Sequence, residues 1–255
     1  MLTSTDYDKL QQIMTESPEK KELLSRLLET HRMDISTISH EIRNPLTLVY
    51  STLQLIESQH PEVCTFSHWD HLRQDIEYMK LLLEELSSYN NGERLELSLL
   101  SPENMLKTLA LSFASSLIET DIQFTSFIEP DLPKLNLDVL KIRQALLNIL
   151  GNAKDAVLSA SSLRHEIALN AHMEHGQLLI SISNTGDRIA SEDLDKIFEP
   201  FITRKSSGTG LGLAITRRII EAHGGMIRVS STDQSSLSDT HGTIFTITLP
   251  IQQNT

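Results

Sequence analysis

Three stretches of this sequence combine residue types that can do chemistry. The first is Ser39-His40-Glu41-Ile42-Arg43-Asn44-Pro45-Leu46. A histidine with an ordinary pKa near ~6.5 is largely neutral at physiological pH, and its free ring nitrogen can attack phosphorus. Glu41 stands beside it and can hold the other ring N–H, fixing the tautomer. Asn44, one helical turn on, shares that face and can orient a phosphoryl oxygen or a water. The second stretch, Gln144 to Ala156, sets Asn148, Asn152 and Asp155 at i, i+4 and i+7, one polar line on an otherwise apolar helix. Such oxygens suit a hard cation such as Mg2+ that holds nucleotide phosphates. The third runs from Phe198 and Phe201 through Arg204 and Lys205 to Gly208-Thr209-Gly210-Leu211-Gly212. Alternating glycines let the backbone approach phosphates, and the helix that follows offers free N–H groups at its positive end. Between the last two, Asn184-Thr185-Gly186 closes a strand in a tight turn that can bring a side-chain amide against a flat ligand such as adenine. Each feature alone has a plainer explanation: a solvated histidine, a polar helix edge, a common glycine spacing.

The elements that must position these residues follow from periodicity. From Leu24, the positions Leu28, His31, Ile35, Ile38, Ile42, Leu46, Val49, Leu53 and Ile56 recur at three and four, which predicts one long helix with a bundle seam. His40 is rotated away from Ile38 and Ile42 and is expected to face solvent, and Pro45 is expected to kink the helix. After a polar break at His60-Pro61-Glu62, Trp69, Leu72, Ile76, Met79, Leu83 and Leu86 continue the rhythm. The two helices read as an antiparallel hairpin with stripes that only a second copy would cover, so a homodimeric four-helix bundle is expected. The expected division is a tail over 1–18, the hairpin over 19–91, a linker over 92–97 and a second domain over 98–252.

That second domain mixes helices and strands. Ser101-Pro102-Glu103 opens a helix to about Leu117, and Asp138 caps a longer one through about Ser159. Strands are expected at Ile122–Ile128, Ile167–Met173, Leu178–Ser183, Met226–Ser230 and Thr243–Leu249. A helix from about Leu211 to His223 is stopped by Gly224-Gly225, and Ser230 to Ser238 reads as a polar hairpin loop. The fold class is then a helical hairpin followed by an α/β sandwich, a mixed sheet with helices on one face.

Composition sets outer bounds. At 255 residues the chain holds one large domain or two ordinary ones. Lys and Arg number 22 against 34 Asp and Glu, a net charge of −12 that opposes unspecific attraction to nucleic acid or an anionic membrane. One cysteine, Cys64, cannot form an internal disulfide, and no stretch has the length and apolarity of a membrane span. The expectation is a cytoplasmic protein with no nucleic-acid partner. The residues before about Leu23 are too few for a sensor domain, so input is expected from another protein or from a segment not included in the chain.

Taken together and in order, these stretches resemble the boxes of bacterial two-component sensor histidine kinases, which join a phosphoacceptor and dimerisation hairpin to a GHKL-type ATP-binding domain. The resemblance implies that His40 is phosphorylated, with Glu41 its acidic partner and Asn44 an aid to phosphatase-type chemistry. It likewise implies that ATP is bound by Asn148, Asn152, Asp155, Asn184, Gly186, Phe198, Phe201, Lys205, Gly208, Thr209, Gly210, Leu211 and Gly212, with Mg2+ on Asn152. The implied partner is the receiver domain of a response regulator, docking near Thr47, Tyr50, Gln54, Arg73, Glu77 and Lys80. One box departs from the pattern: Asn184 stands where the family usually has an Asp that accepts from the adenine amino group, and Arg188 where it has a second Gly. The amide oxygen of Asn184 is expected to accept that bond more weakly. This departure leaves open a phosphotransfer or scaffold protein with a degenerate ATP-binding domain.

Overall fold

The computed structural model describes residues 18–91, 94–160, 164–205, 208–231 and 242–251, without the side chains of residues 18, 24, 25, 28, 29, 31, 32, 34, 40 and 91. The chain forms two compact units that divide between Asn90 and Asn91. The expected tail up to residue 17, and nearly all of the expected loop at Ser230 to Ser238, lie outside the described residues. Among the described residues no helix is long and apolar enough to cross a membrane.

The first unit is a helical hairpin. Helix α1 spans Pro18–Gln59 and continues through Pro45 without a break in the helical run, and α2 spans Trp69–Asn91. A short 3-10 turn, Pro61–Thr65, connects them. The face that α1 turns to α2 is one notch round from the predicted seam. Ser39 and Leu53 are buried there, and Arg43, Leu46, Tyr50 and Glu57 are half-buried. Three side-chain ties mark the antiparallel register: Arg43 donates to the Leu83 carbonyl at 3.3 Å, the Lys80 ammonium lies 5.0 Å from the Tyr50 ring centre, and Trp69 donates to Glu57 at 2.9 Å. Ile38, Ile42 and Val49 on α1, with Leu72 and Met79 on α2, stay exposed. Predicted as one stripe, the apolar positions thus divide into an inner and an outer set, because a helix in a bundle turns two adjacent stripes to two neighbours. The outward orientation expected for the His40 side chain lies outside the described residues.

The second unit is layered. Its helices are α3 (Pro102–Ser115), α4 (Val139–Ser159) and α5 (Gly212–Ala222). Its strands are β1 (Ser98–Leu100), β2 (Gln123–Ile128), β3 (Leu135–Leu137), β4 (Glu166–Glu174), β5 (Gln177–Asn184), β6 (Met226–Ser231) and β7 (Thr243–Pro250). Five strands form a mixed sheet in the order β2-β4-β5-β7-β6, with β2 parallel to β4 and the other pairs antiparallel. Alternation puts Ile167, Leu169, Ala171, Leu178, Ile180, Ile182, Phe245, Ile247 and Leu249 on one buried face, which the helices cover. Strands β1 and β3, absent from the sequence reading, make a separate antiparallel pair; three residues are too few to show an alternation.

A buried joint fixes the start of α4. Asp138 caps the helix by accepting from Lys141 N–H at 3.1 Å, while its other oxygen accepts from Glu96 N–H at 2.9 Å. The Asp138 N–H donates in turn to His223 Nε2 at 3.0 Å, at the end of α5, and His223 Nδ1 donates to the Ile219 carbonyl at 2.7 Å. With both ring nitrogens so used, His223 must be neutral, and burial pushes its pKa below the ordinary value against the opposing pull of the Ile219 carbonyl and Asp138. For Asp138, burial acts to raise the carboxyl, but the Glu96 and Lys141 N–H groups and the Lys141 charge together hold it below the usual range.

Because the folded pKa of His223 is depressed, its contribution to stability is whole above the unfolded value of about 6.5 and is lost as pH falls towards the folded value. The Asp138 contribution disappears only below about pH 4, as the ordinary carboxylate range is passed. Urea midpoints of the full chain, followed by circular dichroism, should fall between pH 7.5 and pH 5.5. His223→Leu should cost about 1–3 kcal/mol at pH 7.5, since it strands a buried N–H, and should flatten that fall. An equal slope in the variant would place the pH sensitivity elsewhere.

Candidate functional site

Helix α4 carries the polar line. Ile142, Ala145, Leu146, Ile149, Leu150, Ala153 and Val157 are buried on one side of it, so Asn148 and Asn152 emerge half-buried and Asp155 exposed on the other. Asn148 Nδ2 donates to the Gly212 carbonyl at 3.1 Å and ties the polar line to the first residue of α5. Buried Thr216 strengthens the tie by donating to the carbonyls of Gly212 at 2.9 Å and Ala145 at 3.4 Å. Asn152 Oδ1 and Asp155 Oδ2 converge on one cation, the Lys205 ammonium, at 2.7 Å and 2.5 Å.

The segment before α5 is anchored at both ends. Phe198 is held edge-on to Phe245, ring centres 6.3 Å apart, with the Arg217 guanidinium 5.8 Å over its own ring. Leu211 is fully buried. Between them Phe201, half exposed at 55%, takes a positive φ of 66° and donates its N–H to the Gly210 carbonyl at 2.9 Å. Gly210 has φ +71°, and a Cβ there would lie 2.5 Å from the Phe201 carbonyl carbon. Glycine is therefore required at this position on two counts, conformation and space. Thr203 holds the turn before Gly208: its hydroxyl accepts from Lys205 N–H at 3.1 Å, and a Cβ on Gly208 would lie 2.5 Å from it. Helix α5 begins with no side-chain cap, so its first N–H groups can meet an anion, while just before it the Leu211 N–H donates to Thr209 Oγ1 at 3.2 Å.

The end of β5 closes the other side. Asn184 is 2% exposed, and its Oδ1 accepts from Gly186 N–H at 3.0 Å. Gly186 presses on α4 so closely that a Cβ would lie 2.7 Å from the Ala156 carbonyl carbon, one turn beyond Asn152. Asn148, Asn152, Asp155, Asn184, Gly186, Lys205 and Gly212 are thus joined by contacts running along α4. Glu41 and Asn44 are exposed on α1, in the other unit. Of the expected docking residues, Thr47, Gln54, Arg73 and Glu77 are exposed, but Tyr50 and Lys80 are half-buried against each other. Sequence reasoning missed Arg217 over the Phe198 ring, Thr203, and Asp193, which forms an ion pair with Arg204. Arg217 and Asp193 act on partners distant in the chain, and Thr203 acts within an irregular segment, so no period signals any of the three.

Residues 137–253 match the family described as histidine kinase-, DNA gyrase B-, and HSP90-like ATPase. Over 244 residues, 94% of this chain, the sequence is 28% identical to the signal transduction histidine-protein kinase AtoS of Escherichia coli. It is 29% identical over 252 residues, again 94% of the chain, to sporulation kinase A of Bacillus subtilis. In structure it resembles full-length ShkA solved with AMPPNP, at a TM-score of 0.70 and 25% identity over 86% of this chain and 45% of that one. Along nearly its whole length the chain is thus similar to proteins named as kinases, AtoS among them as a histidine-protein kinase. It spans 39% of the length of each of the two curated relatives, both named as kinases. Both alignments run through the hairpin as well as the layered unit, so the kinase likeness is not confined to the ATPase match. The second unit, which contains the matched residues 137–253, accordingly has the fold of a GHKL-type ATP-binding domain.

The glycines of this domain differ in what they tolerate. Gly186→Ala drives a methyl into buried α4 backbone and should lower stability by about 1–3 kcal/mol. Gly212→Ala meets nothing closer than the Asn148 side chain at 3.7 Å and should stay within about 0.5 kcal/mol of wild type. Thermal melts of the two variants test this order, and equal losses would contradict the close approach at Ala156.

Proposed function

We propose that this chain transfers the γ-phosphoryl group of ATP to His40 and then to an aspartate of a response regulator receiver domain. The observation that carries the reading is the cation cradle on α4, where Asn152 and Asp155 hold the Lys205 ammonium beside an uncapped, glycine-led helix start. Oxygens that already accept a compact ammonium fit a hard cation. Asn152, with Asp155 beside it, would hold Mg2+, which when bound neutralises phosphate charge. Gly208, Thr209, Gly210, Leu211 and Gly212 would cradle the phosphates with backbone N–H groups, and Lys205 would move from α4 onto them. Phe198 and Phe201 hold that segment, Asn148 fixes it to α4, and Asn184 with Gly186 receives the base.

At the hairpin, a His40 ring nitrogen forms the N–P bond as the bond from γ-phosphorus to the β-bridging oxygen breaks and ADP leaves. Glu41 balances the positive charge that develops on the ring and takes the proton of the far N–H. Asn44, exposed one turn on, orients water or a phosphoryl oxygen in the reverse, phosphatase-type reaction. The partner docks on the exposed residues Thr47, Gln54, Arg73 and Glu77. The functional division is a phosphotransfer hairpin over 19–91, a linker over 92–97 and the catalytic domain over 98–252, at work in the cytoplasm where ATP is supplied. Ile38, Ile42, Val49, Leu72 and Met79, too many apolar side chains to leave in water on one hairpin, are covered by a second copy in a four-helix bundle.

Two experiments test the reading. With γ-labelled ATP and Mg2+ the full chain should acquire acid-labile label, which His40→Gln should abolish and Asn152→Ala should reduce at least a hundredfold. Label that survives His40→Gln would move the acceptor, and label gained only from a phosphorylated partner would make the chain a relay. Light scattering should give a dimer mass for wild type and a monomer mass for Ile42→Asp combined with Val49→Asp. A dimer that persists in the double variant would place the interface elsewhere.

A further inference from the structure

The hydrogen bond inside the β5 turn decides what Asn184 can offer a ligand. A backbone N–H can only donate, so the atom of Asn184 that faces Gly186 N at 3.0 Å must be the amide oxygen. The orientation of the amide follows from that donor. Among the described residues this is the one hydrogen bond of the Asn184 side chain, although the residue is 2% exposed. Its NH2 group therefore remains, a donor with two hydrogens and no acceptor capacity. Rotation of the amide to present oxygen instead would set NH2 against the Gly186 N–H, two donors face to face. The turn cannot relieve this, because Gly186 is packed against the Ala156 backbone and Thr185 is held by its hydroxyl to the Arg164 carbonyl at 2.6 Å and by Glu166 N–H at 2.9 Å. The expectation that the Asn184 oxygen serves the amino group of adenine is thereby revised: the oxygen is turned to the Gly186 N–H, which takes one of its two lone pairs, and the corner left without a partner has the wrong polarity for an amino group.

We infer that Asn184 makes the base subsite a hydrogen-bond donor at purine position 6, so that the chain takes a 6-oxopurine nucleoside triphosphate with an affinity within about threefold of that for ATP. This rests on the reading that the nucleotide base lies at the end of β5. The phosphate-holding residues on α4 and before α5 are indifferent to the base, so ATP still binds; what is lost is discrimination. A site built to pair with a particular group rejects the analogue lacking it by orders of magnitude, whereas a mismatched donor gives no such preference. An Asn184→Asp change would supply an acceptor at the free corner without disturbing the oxygen that holds Gly186.

ATP and inosine triphosphate are the probes, since they differ only in the 6-amino against 6-oxo group and the accompanying proton at N1. Binding of each to the full chain with Mg2+, measured by calorimetry, should give dissociation constants for wild type in which ATP is favoured by no more than threefold. In Asn184→Asp the preference for ATP should rise at least tenfold. A wild-type preference for ATP above threefold, or an unchanged ratio in a folded Asn184→Asp, overturns the inference; should that variant fail to fold, the wild-type ratio decides alone. If neither triphosphate binds wild type, the nucleotide reading falls and takes this inference with it. If both bind with ATP clearly preferred, only the inference about Asn184 falls.

Discussion

The burial of one stripe of α4 is the constraint on which the second unit depends. Leu146, Ile149, Leu150 and Ile142 are fully out of water, each contributing about 1.5–3 kcal/mol at most by area. Those contacts fix the rotation of the helix about its axis. Once the rotation is fixed, Asn148, Asn152 and Asp155 have no choice of direction, because 3.6-residue periodicity places them together on the opposite side. The rise of the helix is held as well, by Asp138 and His223 at its start and by Gly186 against Ala156 near its end. A polar line of this kind would be unremarkable on a free helix; here its position is as rigid as the core beneath it.

The same logic explains how much was legible in the sequence. Helices α1 to α5 and the five strands of the large sheet declared themselves by period, because each buries one face and leaves the other wet. The α4 polar line was legible for the same reason, as the complement of an apolar stripe. What was not legible depends on single contacts between segments distant in the chain. Strands β1 and β3 pair three residues with three. Arg217 reaches Phe198, and Asp193 reaches Arg204, with no shared period to signal either pairing. The predicted seam of α1 lies one notch round from the face turned to α2, since the polar or aromatic residues Arg43, Tyr50 and Glu57 make the contacts to α2 that a count of apolar residues passes over.

Those polar ties have a consequence for the hairpin. Few of its side chains are fully buried, Ser39, Leu53, Val63 and Ile76 among the described ones. An Arg to a carbonyl, a Lys over a Tyr ring and a Trp to a Glu fix register more than they add stability, for exposed or half-exposed pairs contribute about 1 kcal/mol or less each. Apolar area on the outer stripe is the larger reserve, and it is realised only when that stripe is covered. A hairpin arranged in this way sets its own alignment with directional contacts, and the proposed second copy would supply the cohesion.

Charge shapes the nucleotide-binding unit in a comparable way. In a chain of net charge −12, a triphosphate is attracted only where positive charge is local. Lys205 supplies such a charge, and Asn152 and Asp155 keep it at hand, since an ammonium bound to those oxygens is held within reach of the uncapped start of α5. On the proposed reading the two cations would exchange: an ion taking the oxygens of α4 would free the ammonium for the phosphates, and its departure would let the lysine return. One pair of oxygens would then serve both states, and the acidic line would be neutralised in each. A carboxylate at Asp155 beside the amide of Asn152 holds the Lys205 ammonium more firmly than an amide by itself would.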